Sequence, residues 1–273
     1  MATVTSKDGT TIAYETLGTG EPLILVDGAM CYRDSGPMRP LAEALKDHFT
    51  VLIYDRRGRG ESGDTLPYAV DREVEDIGAM LQAVGGSAYL YGCSSGGALA
   101  LEAANRLSGV RKLMIYEAPF IVDDSRDPMT DEMLARLDEL VATGRRGDAV
   151  KLFMKFVGMP GFLIFIMPFM KVWRKLIGIA HTLPYDLAIV GPYEKGKPLP
   201  AGNWAGVSAP ALVADGGKSP AWMRHAQAAL ARNLGAEYRT LPGQTHMVTA
   251  DAQAPLIVEF LKGEASASQA EAA

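Results

Sequence analysis

Short, continuous apolar runs alternate with helical stretches along the first 119 residues of this chain. The run at 23–26 reads Leu-Ile-Leu-Val, and such runs are typical of strands buried on both faces of a sheet. Further strands are predicted at 50–54, 88–91 and 110–116, and helices at 38–46, 71–84 (with Asp71 as its N-cap) and 95–107. Because strands that alternate with helices form parallel sheets covered by helices, this order predicts an α/β fold.

The two ends of the chain extend this pattern. A hairpin at 3–6 and 11–17, around a turn at Asp8-Gly9, predicts an antiparallel leading edge. The alternation stops after residue 119 and resumes near the C-terminus, with strands at 211–214 and 236–241 and helices at 221–234 and 254–261. Together these segments predict a mostly parallel eight-stranded sheet flanked by helices.

A long segment separates the two parts of the predicted sheet. It contains helical stretches and Pro and Gly breaks, and its sequence offers no clear buried strand. We therefore expect residues 1–119 and 208–262 to form the core and residues 120–207 to form an inserted helical cap. Residues 263–273 are rich in Ala, Ser and Glu and are expected to be a disordered tail.

The composition excludes several classes of function. The formal net charge is −5, so a nucleic-acid partner is not expected. Two cysteines, Cys31 and Cys93, make no disulfide framework, and no cluster has the spacing of a metal site, so neither a metal nor another cofactor is expected. No signal-peptide pattern begins the chain, and the apolar stretch 156–170 is shorter than the ~20 residues of a membrane span. We expect a cytoplasmic protein without membrane contact; its oligomeric state stays open.

A glycine-flanked serine lies between a predicted strand and a predicted helix, in Gly92-Cys93-Ser94-Ser95-Gly96. This is the context of the G-x-S-x-G turn, in which a strained backbone lifts the serine oxygen off the sheet. The glycines are needed where strand and helix approach closely. Ser94 is therefore the predicted nucleophile. Ser95 lacks glycine spacing on both sides and Cys93 comes one place too early; a plain glycine-rich turn is the alternative without chemistry.

A serine hydroxyl needs a base, and the chain has four histidines. His246 follows the last predicted strand, where loops deliver side chains to the same rim as Ser94. The other three lie at a surface turn, in the insertion or inside a helix: His48, His181 and His225. His246 is the predicted base, and an inert loop histidine is the alternative.

An oxyanion formed by attack of Ser94 needs two N–H donors. Ser95 opens the helix after the nucleophile and offers the first. The loop after the third strand, Asp27-Gly28-Ala29-Met30, is expected to supply the second. Ala29 is the first candidate in that loop and Met30 the alternative.

Together these features resemble the α/β-hydrolase superfamily over the predicted core. Four segments carry the resemblance: the Ser94 turn, Asp27-Gly28 where relatives usually have His-Gly, residues 55–62 as D-x-R-G-x-G-x-S, and Thr245-His246. The resemblance implies the α/β-hydrolase fold and is specific for the superfamily, not for a substrate. In the third segment we expect Asp55, Arg57 and Ser62 to organise a turn and its charge pairs, without a part in the chemistry.

The acid of the triad departs from the family pattern. Relatives usually carry it three residues after a glycine that follows strand 211–214, and this position holds Ser219. The resemblance implies Glu117 instead, because some members, including several haloalkane dehalogenases, supply the acid from the preceding strand. Asp215 is the alternative. Asp123, a dyad without an acid and a structural role for Glu117 also stay open.

Apolar side chains concentrate in the insertion between residues 152 and 173, where Phe and Met are frequent. Methionines adapt to irregular apolar shapes, so we expect a pocket that favours an apolar acyl or alcohol group. The predicted substrate contacts are Met30, Phe153, Phe162, Phe165 and Met247. Packing of the cap onto the core and an interfacial membrane patch flanked by lysines are the alternatives.

The sequence thus predicts a serine hydrolase that cleaves a small apolar carboxylic ester, or a related acyl compound, through an acyl-enzyme. Other reactions on the same triad stay open: lactonase, thioesterase, amidase, carbon–carbon bond hydrolase, perhydrolase or acyl transferase. A non-catalytic ligand-binding protein is a further alternative. A dehalogenase or epoxide hydrolase of this fold would be expected to carry Asp at position 94, so the serine argues against both.

Overall fold

A computed structural model describes residues 1–263 and contains one sheet of eight strands. The strands are β1 (Ala2–Thr5), β2 (Thr11–Leu17), β3 (Glu21–Val26), β4 (Phe49–Tyr54), β5 (Ala88–Cys93), β6 (Val110–Tyr116), β7 (Ala211–Gly216) and β8 (Glu237–Leu241). They lie in the order β1-β2-β4-β3-β5-β6-β7-β8. β2 pairs antiparallel with β1 and β4, and the other neighbouring strands are parallel. The predicted eight-stranded, mostly parallel sheet is confirmed.

Helices cover both faces of the sheet. They are α1 (Met38–Leu45), α2 (Val70–Ala83), α3 (Ser95–Arg106), α4 (Asp131–Ala142), α5 (Arg146–Phe156), α6 (Gly161–Ile166), α7 (Trp173–Ile179), α8 (Leu183–Val190), α9 (Ala221–Leu234) and α10 (Ala250–Lys262). α1 and α10 pack on one face, and α2, α3 and α9 pack on the other. This double cover explains why the central strands are apolar on both sides.

The start of α2 differs from the expectation. Its N-cap is Ala69, which is extended and makes no side-chain capping bond, so the prediction of Asp71 as N-cap was wrong. Asp71 and Glu73 lie instead in the first turn of the helix. At this position their negative charges interact favourably with the positive end of the helix dipole, so Asp71 stabilises the helix start by its charge and not as a cap.

The segment between β6 and β7 carries α4 to α8 and, among the residues the structure describes, no strand. We call residues 120–207 the insertion. Its buried side chains, such as Leu137, Val150 and Leu187, continue the same apolar cluster as Leu99 of α3. The insertion therefore packs on the α3 side of the sheet. Its treatment as a separate cap stays a prediction, and the predicted tail lies outside the described residues beyond Gly263.

The parallel strands point their carboxyl ends to one edge of the sheet. The loops that follow β3, β5, β6, β7 and β8 therefore emerge side by side. Within residues 1–263, no helix has both the length and the apolar character needed to cross a membrane.

Candidate active site

Ser94 stands at the turn from β5 into α3 in a strained conformation, with φ 55° and ψ −133°. Positive φ is uncommon for residues other than glycine and has to be held by its surroundings. Ser94 N–H donates to the carbonyl of Tyr116 on β6 at 2.9 Å, and Gly97 N–H donates to the carbonyl of Ser94 at 2.9 Å. The serine is thus fixed between the neighbouring strand and the first turn of the helix.

The two glycines of the turn are required by close backbone contacts. A Cβ atom on Gly92 would lie 2.3 Å from the carbonyl oxygen of Gly96. A Cβ atom on Gly96 would lie 2.4 Å from the carbonyl oxygens of Val26 and Asp27, at the end of β3. The turn therefore joins β5, α3 and the loop after β3, which is the close approach that the motif predicted.

His246 bridges the serine to a carboxylate. Its Nε2 lies 3.2 Å from Ser94 Oγ, and its Nδ1 lies 2.8 Å from Glu117 Oε2. The loop that carries it is tied to β6, because the hydroxyl of Tyr116 donates to the carbonyl of Thr245 at 2.6 Å. The His246 side chain is 43% exposed, so solvent reaches the contacts among Ser94, His246 and Glu117.

Glu117 is fully buried at the end of β6 and has φ 50°. Its second oxygen, Oε1, accepts a hydrogen bond of 2.7 Å from the backbone N–H of Gly216 on β7. Both carboxylate oxygens therefore have fixed partners, which a buried charge requires. The strained backbone turns the side chain along the sheet edge toward His246.

The other acid candidates lie elsewhere. Asp215 accepts a hydrogen bond from the hydroxyl of Tyr238 on β8, and burial raises the pKa of its carboxyl. Asp123 lies 2.7 Å from Nδ1 of His225. Ser219, at the position where relatives carry the acid, is buried. Of the carboxylates considered, the structure brings Glu117 to His246.

The loop after β3 lies against the nucleophile. A Cβ atom on Gly28 would lie 3.0 Å from Cβ of Ser94, so glycine is needed for this approach. Met30 has φ 61°, which turns the loop back on itself. Within residues 1–263, neither the N–H of Ala29 nor that of Ser95 donates to a protein acceptor. These two N–H groups, and likewise that of Met30, are therefore left for another acceptor.

A buried cluster of charges connects the insertion to this loop. Asp186 on α8 accepts a hydrogen bond of 2.8 Å from Ser95 Oγ and pairs with Arg56 at 2.7 Å and Arg59 at 2.6 Å. Arg59 also donates to the carbonyl of Gly28 at 2.7 Å. Arg56 donates to Glu73 at 2.7 Å. We call Asp186, Arg56, Arg59 and Glu73 the Asp186 cluster.

The cluster sets the ionisation of two carboxyls. Burial acts to raise the pKa of Asp186, but the charges of Arg59 and Arg56 outweigh it and hold that pKa below its usual value. Burial raises the pKa of Asp27 to about 7, although the same two arginines oppose the rise. The pKa of Asp27 rises while that of Asp186 falls because the guanidinium groups of Arg56 and Arg59 are already paired with Asp186 and Glu73. Little positive charge is then left to stabilise an ionised Asp27.

Residues 55–62 form the turn and charge pairs that the sequence predicted. Arg57 pairs with Asp76 at 2.7 Å, and Asp55 pairs with Arg33 at 3.0 Å. Ser62 Oγ donates to the carbonyl of Asp55 at 2.6 Å and accepts from the N–H of Ala13 at 2.9 Å. These contacts fasten the β4–α2 connection to β2.

The predicted substrate contacts lie in different environments. Met30 and Phe153 are buried. Phe162, Phe165 and Met247 are exposed, with Met247 directly following His246. Their binding of substrate stays a prediction. Among the described residues, no group of three or more His, Cys, Asp or Glu side chains is arranged to hold a metal ion.

Comparison with known proteins agrees with this architecture. A family model described as the alpha/beta hydrolase family matches residues 23–258. The chain belongs to the alpha/beta hydrolase family. The resemblance seen in the sequence and the predicted fold class are therefore confirmed.

The relatives differ in sequence identity to this hydrolase and in the share of the chain that they match. The crystal structure of an alpha/beta hydrolase from Sphaerobacter thermophilus is 49% identical, covers 95% of this chain and 100% of its own, and has a TM-score of 0.87. The enol-lactonase from Burkholderia xenovorans is 21% identical, covers 96% of this chain and 100% of its own, and has a TM-score of 0.68, which shows the shared fold.

A curated relative, pimeloyl-(acyl-carrier protein) methyl ester esterase from Xylella fastidiosa, is 37% identical over 105 residues. That match covers 38% of this chain and 39% of the relative, so it spans about two fifths of the relative's length.

Sequence reasoning missed the Asp186 cluster of this hydrolase. Arg56 and Arg59 lie inside the segment 55–62, yet they were given no role. One signal for Asp186 was available, because it is the one charged residue in α8, whose sequence is LPYDLAIV. A charge in such a helix has to be paired when the helix is buried. Its partner could not be read from the sequence, since Arg56 lies 130 positions away.

Proposed function

We propose that this alpha/beta hydrolase cleaves small apolar carboxylic esters with Ser94 as nucleophile, His246 as base and Glu117 as acid. One observation carries the proposal: Ser94 Oγ, both ring nitrogens of His246 and the Glu117 carboxylate form a continuous chain, with contacts of 3.2 Å and 2.8 Å. A nucleophile, a base and an acid that orients the base are the parts that acyl transfer to serine requires.

The first half of the reaction forms an acyl-enzyme. Ser94 Oγ attacks the ester carbonyl carbon while its proton passes to His246 Nε2, and Glu117 stabilises the resulting imidazolium through Nδ1. The N–H groups of Ser95 and Ala29 bind the oxyanion, with Met30 as the alternative to Ala29. Each such donor lowers the barrier by about 3 kcal/mol. The carbon–oxygen bond to the alcohol then breaks, and His246 returns the proton to the departing oxygen.

The second half releases the acid. A water molecule gives a proton to His246 as its oxygen attacks the acyl carbon, and the bond to Ser94 Oγ breaks as that oxygen recovers the proton. The exposure of the His246 side chain, 43%, supports water as the acceptor, because solvent has access to the base. Transfer to another acceptor would be favoured by a site closed to water.

Support for the oxyanion site comes from the N–H groups of Ser95 and of Ala29 and Met30, none of which has a protein acceptor among the described residues, and from the close approach of Gly28 to Ser94. An apolar substrate is supported by Met247, which is exposed beside the base. Met30 and Phe153, which are buried, remain in the proposal as predicted contacts, whereas the exposure of Phe162 and Phe165 gives no support for a substrate contact. The esterase and lactonase activities named for the relatives agree with this reaction class.

The test uses p-nitrophenyl esters with acyl chains from acetate to octanoate. We expect turnover that improves as the chain lengthens, and Ser94→Ala should lower kcat by about a millionfold. Ser108→Ala is the matched control, because this serine lies exposed in the turn after α3.

A fluorophosphonate probe separates the alternatives. It should label the wild-type protein and the Ser108→Ala variant but not Ser94→Ala. Label on Ser95 in the Ser94→Ala variant, at undiminished turnover, would contradict the assignment of the nucleophile. A wild-type protein that takes no label and cleaves no ester of the series would instead be a ligand-binding protein.

A further inference from the structure

The outer face of α6 and of the turn that follows it is apolar and exposed. Phe162, Phe165, Ile166 and Phe169 follow the i, i+3, i+4, i+7 spacing of one helical stripe, and Met170 comes next. Their exposed fractions are 67%, 76%, 42%, 85% and 50%. Such a stripe normally faces a protein core, and every residue of α6 is exposed or half-buried. We call these five residues the apolar face.

An exposed apolar area of this kind marks a contact surface. Three phenylalanines and two aliphatic side chains are concentrated within nine residues, whereas exposed apolar residues elsewhere, such as Leu66, stand alone. Isolated exposed apolar side chains are ordinary, but a contiguous stripe needs a partner that removes it from water.

The charges that flank the apolar face along the sequence have one sign. Residues 149–185 contain no Asp or Glu, although the whole chain has 32 acidic residues and a net charge of −5. The same segment carries five cations: Lys151, Lys155, Lys171, Arg174 and Lys175. Among the residues the structure describes, none of these five pairs with a carboxylate; the nearby ion pair of Arg145 with Asp148 ends before the segment begins. Lys175 donates to the backbone carbonyl of Asp34 at 2.9 Å and Lys151 lies over the ring of Trp173, but neither contact neutralises a positive charge.

We propose that the apolar face docks this hydrolase on a membrane surface that contains anionic lipids, lying in the interface without crossing it. The aromatic side chains enter the boundary between headgroups and acyl chains, and the flanking cations meet the lipid phosphates. The sequence analysis expects no membrane contact and leaves an interfacial patch open only as an alternative; the exposure of the stripe and the absence of acids from residues 149–185 favour that alternative. The proposal does not depend on the triad assignment, because it is tested by binding alone.

A second copy of the chain is a poorer partner. Two copies related by a two-fold axis would bring the same patch of each together, as most homodimers do. The five cations of one copy would then approach the five of the other, which raises the electrostatic energy. An anionic lipid surface removes the apolar side chains from water and also neutralises the positive charges.

The experiment is flotation of the full chain with lipid vesicles. One preparation is phosphatidylcholine alone, and the other is equal parts of phosphatidylcholine and phosphatidylglycerol. We expect binding to the mixed vesicles that weakens as salt is added, and much weaker binding to phosphatidylcholine. Replacing Phe165 and Phe169 by Ser should lower the partition constant at least about tenfold per side chain. Replacing Lys171 and Arg174 by Gln should lower it about fivefold per charge.

Leu66→Ser is the matched control, since Leu66 is 70% exposed and lies before α2, outside the insertion. It should bind like the wild type. All variants change exposed side chains, so their thermal unfolding should match the wild type and a loss of binding should not reflect unfolding. Equal binding to both vesicle types, or none to either, would overturn the proposal. A wild-type dimer in analytical ultracentrifugation that becomes monomeric with Phe165→Ser and Phe169→Ser would also overturn it, since the face would then join two copies.

Discussion

Ser95 Oγ donates a hydrogen bond of 2.8 Å to Asp186, so the residue after the nucleophile is held by the insertion. Asp186 also binds Arg59, which donates to the carbonyl of Gly28 at 2.7 Å. One buried carboxylate thus contacts, directly or through an arginine, both segments that carry the proposed oxyanion donors.

Asp186→Ala should reduce the free energy of unfolding by about 3–5 kcal/mol, because breaking a buried ion pair leaves a guanidinium without its partner. Urea denaturation measures this change. Asp131→Ala is the control, since Asp131 is an exposed acid paired with Lys195 and its loss should leave the stability close to that of the wild type. Equal stability of both variants would show that the Asp186 cluster does not hold the insertion.

Glu117→Gln should lower kcat for a p-nitrophenyl ester about 10⁴-fold, because an amide cannot stabilise the imidazolium and favours the wrong histidine tautomer. Asp215→Asn should keep kcat in the wild-type range, since Asp215 contacts Tyr238. Steady-state kinetics on both variants measure the two kcat values. A larger loss of kcat for Asp215→Asn than for Glu117→Gln would assign the acid to Asp215.

Asp27 should make the protein less stable as the pH rises. Its pKa in the folded protein is about 7. The unfolded chain releases this proton near the ordinary Asp value of about 3.9, so between these two pKa values the folded state binds more protons. The free energy of unfolding then falls from about pH 4 to about pH 7 and levels off above.

Urea denaturation across this range should show a shallower fall for Asp27→Asn than for the wild type. The comparison has to be made between the two proteins, because burial also raises the pKa of Glu194, to about 8, and adds a slope of the same sign. Identical slopes would mean that Asp27 is ionised in the folded protein.

Gly96→Ala should lower both Tm and kcat. Its Cβ would lie 2.4 Å from backbone oxygens of Val26 and Asp27, and these atoms cannot yield without moving the loop that carries Ala29. Gly178→Ala in α7 is the control, because its Cβ would meet nothing within 4 Å. In a helix that change should instead stabilise by roughly 0.5–1 kcal/mol. Thermal unfolding and ester kinetics of both variants test this, and unchanged values for Gly96→Ala would contradict it.

The sheet was predictable because its signals are local. The apolar composition of residues 23–26 and 110–116 predicts strands. The spacing of Gly92 and Gly96 predicts the turn between β5 and α3. The position of Glu117 beside His246 required the resemblance as well, since 129 positions separate the two.

Other features depend on contacts that no local pattern encodes. α2 starts at Val70 without a side-chain capping bond, so the capping propensity of Asp71 does not set its start. The stripe from Phe162 to Phe169 has the same spacing whether it faces a core or water, so the sequence alone could not decide its exposure. The pairing of Asp186 with Arg59 joins elements 127 positions apart.

The carboxylate at the end of β6 has a consequence for how this chain can change over evolution. Ser94 and Glu117 directly follow the adjacent strands β5 and β6, and the N–H of Ser94 donates to the carbonyl of Tyr116, the residue before Glu117. With the acid proposed there, the connection from β7 to α9 carries no reacting group. This connection still supports the base, because the N–H of Lys218 donates to the carbonyl of Gln244 at 2.8 Å, two residues before His246. Its exposed side chains can therefore change without loss of a reacting group, whereas an insertion at 217–220 would displace the loop of His246.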